Sequence, residues 1–235
     1  MRECGMLLPV ASLPSRYGIG AFSKEAYDFI DTLKAAGQSF WQILPLGPTG
    51  FGDSPYQAFS AFAGNPYFID LEKLAEEGLL TREECLDADF GNDERDIDYK
   101  KIYDGRFPLL RKAYERWKEG RSPEMVHELA GRKLGDETRE YCFYMAVKNH
   151  FDSCSWNLWD EGIRLRKPEA LESYRAMLTD EIGFYEFQQI KFEEQWTSLK
   201  QYANEQGIRI IGDIPIYVAF DGADSWSHPE LFQFD

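Results

Sequence analysis

Within residues 6–44 the sequence writes a strand, a helix and a second strand, and this restricts the fold more than any other feature. Met6-Leu7-Leu8-Pro9-Val10 is a short continuous apolar run of the kind buried on both faces in a parallel sheet. Ser23 is placed to cap a helix in which Ala26, Phe29, Ile30, Leu33 and Ala36 recur every three or four residues. Gly37 stands where a left-handed C-terminal cap belongs. Phe40-Trp41-Gln42-Ile43-Leu44 reads as the second strand. A strand, helix and strand in roughly forty residues form a right-handed βαβ unit, whose strands are parallel.

The rest of the chain fills in around that unit. A long glycine- and aromatic-rich loop, Pro45 to Pro66, leaves the carboxyl end of the second strand, where parallel α/β proteins build their ligand sites. From about Leu79 to Asp180 the sequence turns charged and helix-favouring, with amphipathic stretches at Arg111–Glu119, Glu124–Leu134 and Thr138–Phe151 and no convincing strand. It reads as a helical insertion; the other reading is a separate small helical domain. Ile182 to Gln206 is one long helix ending at Gly207, and Ile208 to Gly212 is another parallel strand with Asp213 at its carboxyl end. The expected division is therefore 1–78, first part of a barrel; 79–180, helical insertion; and 181–235, barrel continuation. The chain reaches Asp235 without a helix to cover the last sheet edge.

Composition narrows the function. A formal charge of -15, from 41 acidic and 26 basic side chains, opposes phosphate backbones and anionic lipid, so neither nucleic acid nor membrane is expected as a partner. Seventeen Phe, thirteen Tyr and six Trp suit the C–H faces of sugar rings, although most of any protein's aromatics are core. Cys4, Cys85, Cys142 and Cys154 lack zinc or disulfide spacing and read as free thiols of a cytoplasmic protein. No signal-peptide pattern opens the chain, and no run has the length of a membrane span. His127, His150 and His228 are widely spaced, so no metal site is expected. No Gly-x-Ser-x-Gly elbow occurs.

The loop carries the candidate site. Gly47-Pro48-Thr49-Gly50-Phe51-Gly52-Asp53-Ser54-Pro55-Tyr56-Gln57 has glycines but lacks the Gly-Lys-Ser/Thr of a phosphate loop. Its glycines let backbone approach a ligand, while Asp53, Ser54, Tyr56 and Gln57 offer a carboxylate, hydroxyls and an amide to neutral polyols. Asp213 ends a buried strand on the face where site groups gather, with a turn or cap role as the alternative. Asp221 and Asp224 read as turn-making and helix-capping aspartates.

These residues carry a resemblance. Leu13-Pro14-Ser15 with Tyr17-Gly18-Ile19-Gly20, Trp41 to Gly50, Gly52 to Gln57, and Phe59 to Tyr67 are similar to the amino-terminal signature of the amylomaltase-type 4-α-glucanotransferases, glycoside hydrolase family 77. Ile211-Gly212-Asp213-Ile214-Pro215-Ile216-Tyr217-Val218-Ala219, followed by Asp224-Ser225-Trp226 and Pro229-Glu230-Leu231-Phe232, resembles the same family's third-strand motif. The resemblance covers roughly residues 5–75 and 182–235.

It implies an α/β fold, a (β/α)₈ TIM barrel incomplete in this chain, with an inserted mainly α-helical subdomain. It also implies transfer of α-1,4-glucan segments between maltooligosaccharides with retention, through a covalent glycosyl-enzyme and without cofactor or metal. The family's nucleophile and acid/base carboxylates fall beyond Asp235, so the chain is expected to hold no catalytic residue and to be inactive alone. Among matching positions, Tyr56 looks like a residue lining the sugar pocket and Asp213 like one contacting donor sugar, both bordering one groove. Ser54 and Asp53 join them, and Phe51 stands where relatives place a tyrosine, keeping a stacking ring without its hydroxyl. Gly222 replaces a serine more usual in relatives. An open barrel edge is expected to self-associate. The competing readings are a non-catalytic glucan-binding fragment and an α-amylase-like hydrolase.

Overall fold

The computed structural model describes residues 3–50, 52–91, 93 and 96–233. Its strands are β1 (Gly5–Leu7), β2 (Phe40–Gln42), β3 (Gln57–Ala58), β4 (Arg209–Ile211) and β5 (Tyr217–Val218). As the sequence predicts, the three apolar runs join in one parallel sheet, in the order β1-β2-β4 and with Met6, Trp41 and Ile210 in register.

The strands are shorter than expected and their burial differs. Pro9 has no N–H to give a ladder, and Val10–Ser12 coil into a 3₁₀ turn instead of extending β1. The runs imply burial on both faces, yet Leu7 is 54% and Ile211 43% exposed, whereas Trp41 is fully buried. Side chains alternate along a strand, so Trp41 points to the face where Phe29 meets it at 5.2 Å. Leu7, Gln42 and Ile211 share the opposite face.

Helix α1 (Lys24–Ala35) ends as its sequence foretells. Gly37 adopts φ +68°, and Gln38 N–H reaches back to the Leu33 carbonyl at 2.9 Å while Gly37 N–H reaches Lys34 at 3.0 Å, a Schellman closure. Its start departs from expectation: the Ser23 hydroxyl makes no bond to a helix N–H and donates to the Glu25 carboxylate at 2.6 Å. The loop before it is tight at Gly20, where a Cβ would lie 2.0 Å from the Val10 carbonyl oxygen.

The remaining helices are α2 (Leu71–Glu76), α3 (Arg82–Asp87), α4 (Tyr99–Lys118), α5 (Pro123–Lys133), α6 (Asp136–His150), α7 (Glu161–Arg164), α8 (Pro168–Met177), α9 (Thr179–Glu205) and α10 (Ala223–Ser227). Between residues 79 and 180 the described residues form helices and no strand. A capping box opens α3, Thr81 taking the Glu84 N–H and the Glu84 carboxylate taking the Thr81 N–H. Helix α4 starts twelve residues before the expected Arg111, carrying Pro108 inside it. Among the described residues no helix is long and apolar enough to cross a membrane.

The chain forms two compact units: Met1–Pro45, Asn65–Glu119 and Lys191–Ile214 make unit one, and Leu46–Gly64, Gly120–Ile190 and Pro215–Asp235 make unit two. This division does not follow the bounds drawn at 78 and 180, because α4 shares the core of unit one. There the fully buried Arg106 of α4 donates to the Ile69 carbonyl. In the same unit Phe22 centres an aromatic cluster, 5.1 Å from Phe192 and 5.5 Å from Trp196. In unit two, Trp226 is fully buried against Phe143, Tyr144 and Trp159, at 5.7, 5.9 and 5.5 Å.

Candidate functional site

The glycine-rich loop lies in unit two and is folded by its own backbone. Gly50 N–H donates to the Gln57 carbonyl at 3.4 Å and Phe59 N–H to Pro48 at 2.9 Å, and Thr49 bridges Ala58 antiparallel. On its other side β3 pairs in parallel with β5, Gln57 beside Tyr217 and Ala58 beside Val218. The excursion between these ties turns through two left-handed residues, Gly52 at φ +92° and Asp53 at φ +54°, a conformation aspartate tolerates better than most side chains.

Each loop candidate has a defined local role. Ser54 accepts the Tyr56 N–H on its hydroxyl at 3.4 Å, and its carbonyl accepts the Gln57 N–H at 3.2 Å. This turn sets the half-buried Tyr56 immediately before β3. Burial raises the pKa of Asp53, and a hydrogen bond from Thr49 partly offsets that shift. Phe51 lies outside the described residues.

Asp221 and Asp224 were expected as turn-making and helix-capping aspartates, but no side chain caps α10, and both reach residues distant in sequence instead. Asp224 accepts the Ser60 hydroxyl on Oδ1 at 3.0 Å and the Ala61 N–H on Oδ2 at 2.8 Å. Asp221 accepts the Tyr144 hydroxyl at 2.7 Å, the Lys148 ammonium at 2.6 Å and the Trp156 N–H at 3.3 Å. Lys148, buried in α6, also donates to the Cys154 carbonyl at 3.2 Å. The sequence marked neither Tyr144 nor Lys148. A lysine amid the apolar positions of a predicted helix, Ala146-Val147-Lys148, was the one available signal.

Asp213 belongs to unit one, and Tyr56, Ser54 and Asp53 to unit two. Asp213 follows β4 at its carboxyl end, exposed, and its Oδ1 accepts the N–H of Ile214 at 2.8 Å, so it also serves the local turn. Of the histidines, His228 lies between Glu137 and Glu230, at 3.3 Å from each. His127 pairs with the buried Glu186 at 2.5 Å. His150 packs edge-on against Phe151 and Tyr174.

A parallel sheet with a long structured loop after its second strand is the plan of an α/β protein. Along its whole length the chain superposes on the amylomaltase from Streptococcus agalactiae in complex with acarbose, with a TM-score of 0.93 and 42% identity, covering 48% of that chain. The amylomaltase of Corynebacterium glutamicum, at TM-score 0.69 and 20% identity over 97% of this chain and 32% of its own, shares the fold.

Residues 8–235 match the model of the 4-alpha-glucanotransferase family, glycoside hydrolase family 77, and the chain belongs to it. It is 47% identical to the 4-alpha-glucanotransferase of Streptococcus pneumoniae, over 100% of this chain and 46% of that protein. It is 44% identical to that of Thermus thermophilus, again over 100% and 46%. The chain thus spans less than half the length of these relatives.

Proposed function

We propose that this chain is the amino-terminal part of a 4-α-glucanotransferase that moves α-1,4-glucan segments between maltooligosaccharides with retention. The observation that carries the reading is the whole-chain match to an amylomaltase at high identity. In this reading Tyr56, Ser54, Asp53 and Phe51 of the loop, and Asp213 after β4, are each assigned a contact with neutral sugar. The Tyr56 ring lies along a pyranose face, Ser54 and the carboxylates accept sugar hydroxyls, and Phe51 stacks without donating. A chain of formal charge -15 suits a neutral substrate.

The reacting carboxylates are assigned to sequence following Asp235. One attacks the anomeric carbon as the glycosidic oxygen leaves with a proton from the other. An acceptor hydroxyl then attacks the same carbon, returns its proton and frees the first carboxylate. The sheet is read as three strands of a (β/α)₈ barrel, with residues 79–180 as its inserted helical subdomain and 181–235 as its continuation. The four free thiols fit a cytoplasmic setting.

Maltotriose supplied to the full-length gene product should yield glucose and a ladder of longer maltooligosaccharides with no net gain of reducing ends. A net gain would identify a hydrolase, and no turnover would refute the assignment. Residues 1–235 alone should show no turnover in the same assay.

A further inference from the structure

We infer that Asp221 and Asp224 are positioning residues that hold the glucan-facing loop in register, an inference that rests on the transferase reading above. The loop needs such a support, because its ribbon with β5 is only two residues long and short ladders fix backbone weakly. The grip comes from the other end of the loop. Ala223 N–H donates to the Phe59 carbonyl at 2.7 Å. One residue on, Asp224 takes the Ser60 hydroxyl and the Ala61 N–H, one on each carboxylate oxygen. At Gly222 a Cβ would come within 3.1 Å of the Phe59 carbonyl oxygen, so this turn lies close against the loop backbone.

That turn is itself fastened. Asp221, three residues before Asp224, gathers Tyr144 and Lys148 of α6 and the backbone of Trp156. The Trp156 indole donates to the neighbouring Phe220 carbonyl at 2.6 Å. A continuous path therefore runs from helix α6 through Asp221, the 219–222 turn and Asp224 to Ser60, four residues after Tyr56. Ser60 is fully buried and Asp224 partly so, which makes these bonds stronger than exposed ones. Both aspartates act through the loop and neither is assigned a contact with sugar.

The test uses full-length protein, with kcat and KM for maltotriose measured alongside thermal unfolding, at a temperature where every variant is folded. Asp224→Asn keeps the size but turns an N–H toward one of the two donors. It should raise KM on the order of tenfold, the loss expected for a charged hydrogen bond, with kcat within about threefold. Ser60→Ala should raise KM about threefold, and the double variant should resemble Asp224→Asn, since the two share one bond. Should Asp224→Asn fail to fold, Ser60→Ala and the charge-free pair Asp221→Asn with Lys148→Met, which leaves no lone buried ammonium, carry the same KM expectation. An active parent whose variants keep its KM while only melting earlier overturns the positioning role alone. A parent without maltotriose turnover brings down the transferase reading and this inference together.

Discussion

Gln189 and Gln195 show what a single residue type can conceal. Gln189 donates to the Gly64 carbonyl at 2.9 Å and accepts its N–H at 2.7 Å. Gln195 does the same for Asp70, at 3.3 and 2.7 Å. Each amide replaces a missing strand, satisfying both backbone groups of a residue 125 positions away. Gln195→Leu should leave the Asp70 N–H buried and unpaired, while the Asp70 carbonyl keeps the Leu74 N–H at 3.4 Å, and cost about 1–3 kcal/mol, read from urea unfolding; a loss below about 0.5 kcal/mol would show that water replaces the amide. None of this is legible in the sequence, where periodicity assigns glutamines to the wet side of a helix and only their distant partners make them inward. The aspartates were only partly legible. Asp221 and Asp224 read as turn and cap residues, yet their backbone donors are Trp156 and Ala61, far off in sequence, and that Asp221 would meet a buried lysine depends on helix α6, which local sequence cannot place.

Elements were legible where a local signal sufficed. The three sheet strands, α1 with its Gly37 closure, and α9 all follow from runs, periodicity and terminal glycines. Helix α4 starts earlier than its amphipathic stretch suggests, and it carries Pro108 inside it, where burial of Ile102, Arg106, Leu109 and Leu110 outweighs the missing bond. The 3₁₀ turn at Pro229–Leu231 is tied to α6 through His228, whose two ring nitrogens each face a carboxylate. Ionised carboxylates only accept, so both contacts form at once only when both nitrogens carry protons. Burial disfavours that cation, but the bonds to Glu230 and Glu137 prevail, and the pKa rises above 6.5. A raised folded-state pKa means that this stabilisation is complete below about pH 6.5 and fades as pH climbs through the folded value. The melting temperature should therefore fall more steeply between pH 6 and 8 in the parent than in His228→Gln. Parallel curves would show that the clasp contributes nothing.

At the scale of the molecule, β1 and β4 form the two edges of the described sheet, and apolar side chains stand exposed along it, including Met6 at 49% and Ile214 at 74%. Such an edge invites pairing. The isolated 235-residue chain should sediment as a concentration-dependent oligomer, and Leu7→Lys with Ile211→Lys should shift it toward monomer. A monomer at all concentrations would show that these groups are tolerated in water. The division into units was not legible in the sequence, because that grouping depends on which helices pack side by side. The buckle at Ser60 and Asp224 joins positions 164 apart, and this has a consequence during biosynthesis. At roughly 5–20 residues per second, a ribosome needs about ten to thirty seconds after making the serine to deliver its aspartate. For that interval the nascent loop, rich in rings and glycines, waits without its clamp, a natural client for whatever chaperones attend the exit tunnel.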